Sequence, residues 1–280
     1  MSTAEELAGR QGLRMVAPED CPSQAEYITY FEPAIAVMQT EEALERVARE
    51  LCDDSARENI DYLEVRWAPR LHLRRGLSVE QVIQAVLRGL QAGPISAVAI
   101  VCAMRQHAPE DNAGLAKIAG RFAGKGVVGF DLAGDEVRYP AAPHAPAFAA
   151  ARAAGLHLTC HAGEAGDPSN VEDALALGVE RIAHGVIAAR EPSIVERIRA
   201  EGIVLDVCPT ANWKCKAVQS IEEHPLPRLV RAGVRCTIST DSRTVAGTTL
   251  SHEYGLLSEI GMSDEELRHC NATAYAAKFG

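Results

Sequence analysis

Short apolar runs alternate with helical stretches along the sequence, and this alternation constrains the fold more than any other feature. Seven runs are rich in Val, Ile, Leu or Cys and are short, as buried parallel strands are. They are Asp61–Trp67, Ser96–Met104, Gly126–Leu132, Gly155–His161, Arg181–His184, Gly202–Val207 and Arg235–Thr240. Strands that alternate with helices in this way predict an α/β fold built on a parallel sheet.

The stretches between these runs carry start and stop signals for helices. Ser-x-x-Gln or Ser-x-x-Glu patterns, typical of a capping box, begin at Ser78, Ser169 and Ser263. Glycines that follow helical stretches and precede strands predict C-caps at Gly155, Gly178, Gly202 and Gly233. No linker, low-complexity tract or internal repeat interrupts the pattern, so we predict one domain over residues 1–280.

The strand count bears on the type of sheet. A closed (β/α)8 TIM-type barrel needs eight strands, and the sequence supplies seven. Helix-like Ala4–Arg10 and a helical region over Gln24–Asn59 precede the first of them. We therefore expect a TIM-type barrel that lacks its first strand, which would leave unpaired apolar edges on the first and last strands present. Either another segment fills the gap, or the chain is an N-terminally incomplete form of a longer protein.

Composition excludes several classes of partner. The chain has 280 residues and a formal net charge of −10, which argues against nucleic acid or an anionic membrane as the main partner. Its eight cysteines show no Cys-x-x-Cys spacing and several lie in apolar runs, as expected for reduced thiols in a cytoplasmic protein. The N-terminus does not resemble a signal peptide, and no apolar run reaches transmembrane length. The sequence leaves the oligomeric state open.

Ionisable side chains follow three of the predicted strands. His161 ends one strand and Glu164 follows three residues later, His184 ends the next strand, and Asp241 follows the last. Active sites of α/β barrels lie at the C-terminal ends of the strands. A single histidine there could be only a hydrogen-bonded loop residue, but groups on three strand ends favour a metal-assisted hydrolytic site.

A fourth strand end carries two aspartates around a glycine. Asp131 and Asp135 flank Leu-Ala-Gly134, and the glycine would let a ligand approach the backbone closely. Asp131 is equally compatible with a structural role as a loop cap, and the residues alone do not separate the two interpretations.

Six motifs, taken in order, closely resemble the adenosine deaminase family of metal-dependent hydrolases. They are Tyr62–Pro69, Gly129–Glu136, His161–Glu164, Arg181–Gly185, Cys208–Asn212 and Ser239–Asp241. The resemblance runs from about residue 1 to the C-terminus. It implies a (β/α)8 barrel with one catalytic zinc ion and a small-molecule purine nucleoside as substrate.

The resemblance also implies roles for individual residues. His161 and Asp241 match metal ligands of the family. Glu164 matches the acid that protonates the purine ring, and His184 matches the group that orients and helps to deprotonate the attacking water. Together these residues imply zinc-dependent hydrolytic deamination of adenosine or a closely related purine nucleoside, with release of ammonia.

Two further positions are implied to bind the substrate. Gly134 matches a position whose backbone amide contacts the purine. Ser242 stands where many members have a second aspartate that holds a purine nitrogen, and its hydroxyl can donate or accept a hydrogen bond. Adenosine, adenine and modified adenosines therefore all stay open as substrates.

One part of the family pattern is not found in this sequence. The family's first strand carries a His-x-His pair of zinc ligands, and the chain contains no His-x-His. His161 and Asp241 alone fall short of the three protein ligands usual in catalytic zinc sites. The alternative is therefore a catalytically impaired or inactive member that serves as a purine-binding or oligomeric scaffold. Another type of amidohydrolase barrel is less well supported, because no lysine follows a predicted strand.

Overall fold

The computed structural model describes residues 3–9 and 12–280, and these residues contain one seven-stranded parallel sheet. The strands are β1 (Tyr62–Trp67), β2 (Ser96–Met104), β3 (Val127–Ala133), β4 (His157–Ala162), β5 (Arg181–His184), β6 (Val204–Val207) and β7 (Arg235–Ile238). Each strand pairs in parallel with its neighbour in sequence, in the order β1-β2-β3-β4-β5-β6-β7. All seven strands lie within two residues of their predicted bounds.

Helices precede the sheet and connect its strands. Four precede β1: α1 (Thr3–Ala8), α2 (Gln24–Thr29), α3 (Glu32–Val37) and α4 (Glu41–Arg57). The others are α5 (Val79–Gln91), α6 (Pro109–Gly120), α7 (Ala145–Ala153), α8 (Ser169–Ala176), α9 (Pro192–Ala200), α10 (Pro209–Lys214), α11 (Leu226–Arg231), α12 (Arg243–Ala246), α13 (Leu250–Glu259) and α14 (Asp264–Ala277). Short 3-10 helices cover Pro69–His72, Ala142–His144 and Val186–Arg190.

The sheet curls into a half-barrel with helices around it, which confirms the predicted TIM-type fold. Within residues 3–9 and 12–280, β1 and β7 do not pair with each other. All six residues of β1 are partly exposed, whereas the last six residues of β2 are buried. The strand at the open edge thus lacks the cover that its neighbour has, as expected from a barrel of seven strands.

Charged side chains fill the interior of the half-barrel. Arg66 Nη2 lies 2.7 Å from Asp206 Oδ2, and Arg181 pairs with Glu64. Glu64 and Arg66, which alternate along β1, thus have their ion-pair partners on other strands. Opposite charges from distant parts of the chain neutralise one another here, as buried charges must.

The C-terminus packs at the end of the half-barrel at which the strands begin. The Phe279 ring stacks on His157, the first residue of β4, with centroids 4.5 Å apart. The Arg181 guanidinium lies 3.6 Å from the centroid of the same ring. The backbone N–H of Phe279 donates to Glu64 Oε1 at 2.6 Å. The C-terminal residues thus cover part of the end of the half-barrel that is opposite the C-terminal ends of the strands.

The helix caps predicted from the sequence are confirmed with one exception. Capping boxes form at Ser78 and Ser263 as predicted, and the four predicted C-cap glycines all have positive φ. The capping box predicted at Ser169 is wrong: α8 already includes Ser169, and its N-cap is Pro168. The Ser169 hydroxyl donates instead to Asp167 Oδ1 at 2.5 Å. Of the predicted helix Ala4–Arg10, Arg10 lies outside the described residues.

None of the helices within the described ranges is both long enough and apolar enough to cross a bilayer.

Candidate active site

Four predicted site residues meet at the C-terminal ends of the strands. His161 is on β4, Glu164 is in the loop after it, His184 is the last residue of β5, and Asp241 follows β7. The potential ligand atoms of Glu164, His184 and Asp241 all lie within 4.8 Å of one another. The ring centroids of His161 and His184 are 5.3 Å apart. The fold therefore gathers residues that are up to 80 positions apart in the sequence.

The backbone is strained at two of these residues. His184 has φ 70° and Asp241 has φ 53°, in the left-handed region that residues other than glycine rarely adopt. Such conformations persist only when the surrounding structure enforces them, and they cluster at functional sites. His184 is the last residue of β5 and Asp241 is three residues beyond the end of β7, and both side chains reach the cluster that contains Glu164.

His161 is held by a buried carboxylate. Its Nδ1 atom lies 2.8 Å from Oδ2 of Asp131, which is fully buried on β3 and also accepts from Cys102 Sγ at 2.9 Å. Burial opposes charge on His161, but the Asp131 carboxylate outweighs it and raises the pKa of His161. The sequence left two roles open for Asp131, and its contact with His161 makes it part of the site. Because Asp131 lies beside Nδ1, the Nε2 atom of His161 is the ring nitrogen that is free to bind a ligand.

Glu164 is fixed by residues that sequence reasoning missed. Its Oε2 accepts a hydrogen bond from Gln24 Nε2 at 2.6 Å, and its Oε1 lies 3.6 Å from His184 Nε2. The backbone N–H groups of Gly163 and Glu164 both donate to the buried carboxylate of Glu136, at 2.8 and 3.0 Å. Burial raises the pKa of Glu164, so the site favours its protonated form.

His184 is buried and has its own amide partner. Its Nδ1 lies 3.0 Å from Nδ2 of Asn212 in α10, the last residue of the motif Cys208–Asn212. Burial lowers the pKa of His184 to about 3. The motif was recognised in the sequence, but its spacing gave no indication that its final asparagine contacts His184.

The two predicted substrate-binding residues lie after β3 and β7. Gly134 has φ +117°, and a Cβ atom there would lie 2.8 Å from Gln106 Oε1, so the position favours glycine. Ser242 is the N-cap of α12, where its hydroxyl accepts from the Val245 N–H at 3.3 Å. The Ser242 hydroxyl proton stays available to a ligand.

A cavity of about 350 Å³ adjoins Glu164. Gln24, Asp135 and Cys215 also line it, so the N-terminal segment, the loop after β3 and the C-terminal end of α10 all contribute to its walls. This volume is within the range of small-molecule binding sites. One wall contains the carboxyl group of Glu164, whose pKa is raised by burial.

Comparison with known proteins identifies the family. The family model described as adenosine deaminase matches residues 12–279. The chain belongs to the adenosine deaminase family. It is 42% identical to an adenosine deaminase of Shewanella halifaxensis over 258 residues, which cover 90% of this chain and 78% of the relative. The prediction of an aminohydrolase of this family is thus confirmed.

Solved structures agree on the fold. An adenine deaminase from Arthrobacter aurescens superposes with a TM-score of 0.86 at 23% identity, covering 99% of this chain and 88% of that chain. Arabidopsis ADAL, complexed with IMP, gives a TM-score of 0.85 at 26% identity, with coverages of 92% and 79%.

Proposed function

We propose that this protein is a zinc-dependent aminohydrolase that deaminates adenosine or a closely related purine nucleoside and releases ammonia. The observation that carries this proposal is the grouping of Glu164, His184 and Asp241, whose potential ligand atoms lie within 4.8 Å of one another beside His161. Family membership supports the reaction class. Two structural relatives, an adenine deaminase and ADAL complexed with IMP, support a purine as the substrate class.

Two of the residues present, His161 and Asp241, have the donor chemistry of zinc ligands, which is one fewer than the three protein ligands usual in a catalytic site. Imidazole nitrogens and carboxylate oxygens are usual zinc ligands, and a carboxylate typically lies beside the other ring nitrogen of a ligand histidine, as Asp131 lies 2.8 Å from His161 Nδ1. His161 and Asp241 would hold the ion, and Glu164 and His184 lie beside them. When bound, zinc would act as a Lewis acid and lower the pKa of a water molecule towards about 7.

Each remaining residue has a task that follows from its surroundings. Glu164, whose pKa is raised by burial, holds a proton that it can deliver to a ring nitrogen of the purine. His184 orients the attacking water from its place beside Glu164 and Asp241. The Gly134 backbone and the Ser242 hydroxyl would contact the base. A serine in place of an acid leaves adenine and modified adenosines open beside adenosine.

The net charge and the state of the cysteines bear on the substrate class and on the cellular compartment. The net charge of −10 supports a small-molecule substrate rather than nucleic acid or a membrane surface. All eight cysteines are buried and unpaired, which supports a reducing compartment such as the cytoplasm.

A purine-binding or oligomeric scaffold is the second candidate. One observation favours it: the sequence contains no His-x-His pair. The two predicted metal ligands, His161 and Asp241, are then one fewer than a catalytic zinc site usually has. A scaffold would bind purine nucleosides without releasing ammonia.

Ammonia release by the purified chain separates these candidates. Adenosine, adenine and 2′-deoxyadenosine are each incubated with protein that has been treated with chelator, with and without added Zn²⁺, and the metal content is determined. Ammonia release that depends on Zn²⁺ and disappears in Glu164→Gln supports the enzyme. Glu172→Gln, an exposed glutamate on α8, is the matched control and must keep the activity. Adenosine binding without ammonia release in any condition would favour the scaffold.

A further inference from the structure

A buried chain of hydrogen bonds connects His184 to the start of α11. The backbone N–H of Leu226 donates to His224 Nδ1 at 3.2 Å. His224 Nε2 lies 3.4 Å from Asn212 Oδ1, and Asn212 Nδ2 lies 3.0 Å from His184 Nδ1. All three side chains are buried, with Asn212 fully inaccessible. His224 belongs to none of the six motifs that resemble the family.

The backbone amide sets the direction of every bond in this chain. An amide N–H can only donate, so His224 Nδ1 must be an acceptor without a proton. Burial lowers the pKa of His224 to about 4, so near neutral pH its single proton is on Nε2. That proton is donated to the oxygen of the Asn212 amide. The amide therefore turns its NH₂ group towards His184, and His184 Nδ1 is the acceptor.

We propose that Asn212 and His224 are positioning residues that hold His184 in the tautomer with its proton on Nε2. A histidine nitrogen that accepts a hydrogen bond carries no proton, so the remaining ring nitrogen carries it. His184 Nε2 faces Glu164 Oε1 at 3.6 Å. The side of His184 that faces the site is therefore an N–H donor.

This assignment refines the role of His184, and its catalytic meaning rests on the proposed function. A ring that presents Nε2–H donates a hydrogen bond to the oxygen of an attacking water and orients it. The same ring cannot also accept that water's proton at Nε2. The proton must go to a carboxylate, and Glu164, which lies within 3.6 Å of the same nitrogen, can accept it once it has given its own proton to the purine ring.

A second buried Asn–His pair in the same chain provides a matched control. Asn112 Nδ2 donates to the Met104 carbonyl at 2.9 Å and lies 3.1 Å from His144 Nδ1. His144 Nε2 lies 3.2 Å from the Arg105 carbonyl, which can only accept. His144 is thus also in the Nε2–H tautomer, but main-chain carbonyls fix it, independently of Asn212.

The test is the tautomer of His184, read from long-range ¹H–¹⁵N correlations of histidine-labelled protein near neutral pH. His184→Gln identifies the His184 signals by their loss. Wild-type protein is expected to show Nε2–H, and Asn212→Asp is expected to show a proton on Nδ1, because an ionised carboxylate only accepts. Asn112→Asp must leave the His184 signals unchanged. His224→Phe frees the Asn212 amide to turn over, so both tautomers of His184 are expected.

Two results would overturn the proposal: a wild-type His184 that carries its proton on Nδ1, or an Asn212→Asp variant whose His184 has no proton on Nδ1. If either variant fails to fold, the wild-type spectrum still decides. Where turnover is measurable, Asn212→Asp should lower kcat roughly 10- to 100-fold with little change in KM, as loss of an outer-shell partner typically does. The spectra need neither substrate nor turnover, so the tautomer and the proposed aminohydrolase activity can fail separately.

Discussion

The Nδ1 atom of His161 lies 2.8 Å from Oδ2 of the fully buried Asp131 on the neighbouring strand β3. Burial alone would raise the pKa of Asp131, but His161 and Arg66 outweigh it and hold the pKa well below its usual value. The carboxylate therefore stays ionised and fixes the orientation of the imidazole. A ligand histidine restrained in this way loses little rotational freedom when it binds a metal ion.

Asp131→Asn should weaken zinc binding about 10- to 100-fold, because the amide removes the charge that supports His161. The measurement is a competition titration of Zn²⁺ against a chromophoric chelator. Glu253→Gln is the matched control, since Glu253 is also fully buried but its carboxylate accepts from the Thr210 N–H and the Thr248 hydroxyl. Equal loss of zinc affinity in both variants would show that the Asp131–His161 contact has no specific effect.

Glu164→Gln should lower kcat by about 10²- to 10⁴-fold, because the amide cannot deliver a proton to the purine ring. KM should change little, since glutamine has nearly the same size and can still accept a hydrogen bond from Gln24. Steady-state ammonia release measures both constants, and a binding isotherm for adenosine checks that the site is intact. A variant that keeps more than about a tenth of the wild-type kcat would remove Glu164 from the role of acid.

The sequence predicted the four central residues because each follows an apolar run. Parallel strands align their C-terminal ends, so His161, His184 and Asp241 had to converge once seven strands were recognised. Gln24 and Glu136 could not be found in the same way. Gln24 reaches Glu164 across 140 positions from a helix outside the sheet, and no local pattern encodes that contact.

The interior ion pairs illustrate the same limit. The alternation of Glu64 and Arg66 along β1 places both side chains on one face, and that much is readable from a period of two. Their partners come from β5 and β6, at Arg181 and Asp206. Which strands face each other across the half-barrel depends on how the sheet curls, so the partners became known only with the fold.

Asp206→Asn should lower the free energy of unfolding by about 3 kcal/mol, because it removes one partner from a buried ion-pair network. Chemical denaturation monitored by circular dichroism measures the change. Asp54→Asn is the control: Asp54 pairs with Arg57 on an exposed surface, where loss of an ion pair costs about 1 kcal/mol or less. Similar losses in the two variants would contradict the interior role of Asp206.

The same substitution predicts a change in acid sensitivity. Burial alone would raise the pKa of Asp206, but Arg181 and Arg66 outweigh it and hold the pKa below its usual value. A carboxyl group with a lowered folded-state pKa contributes stability above its unfolded pKa of about 4, and that contribution is lost as the pH falls through the folded-state pKa. The free energy of unfolding should therefore fall more steeply below about pH 5 in the wild type than in Asp206→Asn.

Ser78→Ala should lower the free energy of unfolding by about 1 kcal/mol, whereas Ser169→Ala should cost less. Both serines belong to the same Ser-x-x-Gln/Glu pattern, but only Ser78 accepts from the N3 backbone N–H, that of Gln81, at 3.2 Å. Ser169 is already inside α8 and donates to Asp167. Parallel urea denaturation of the two variants measures the difference. Equal losses would mean that the cap at Ser78 contributes nothing beyond an ordinary surface hydroxyl.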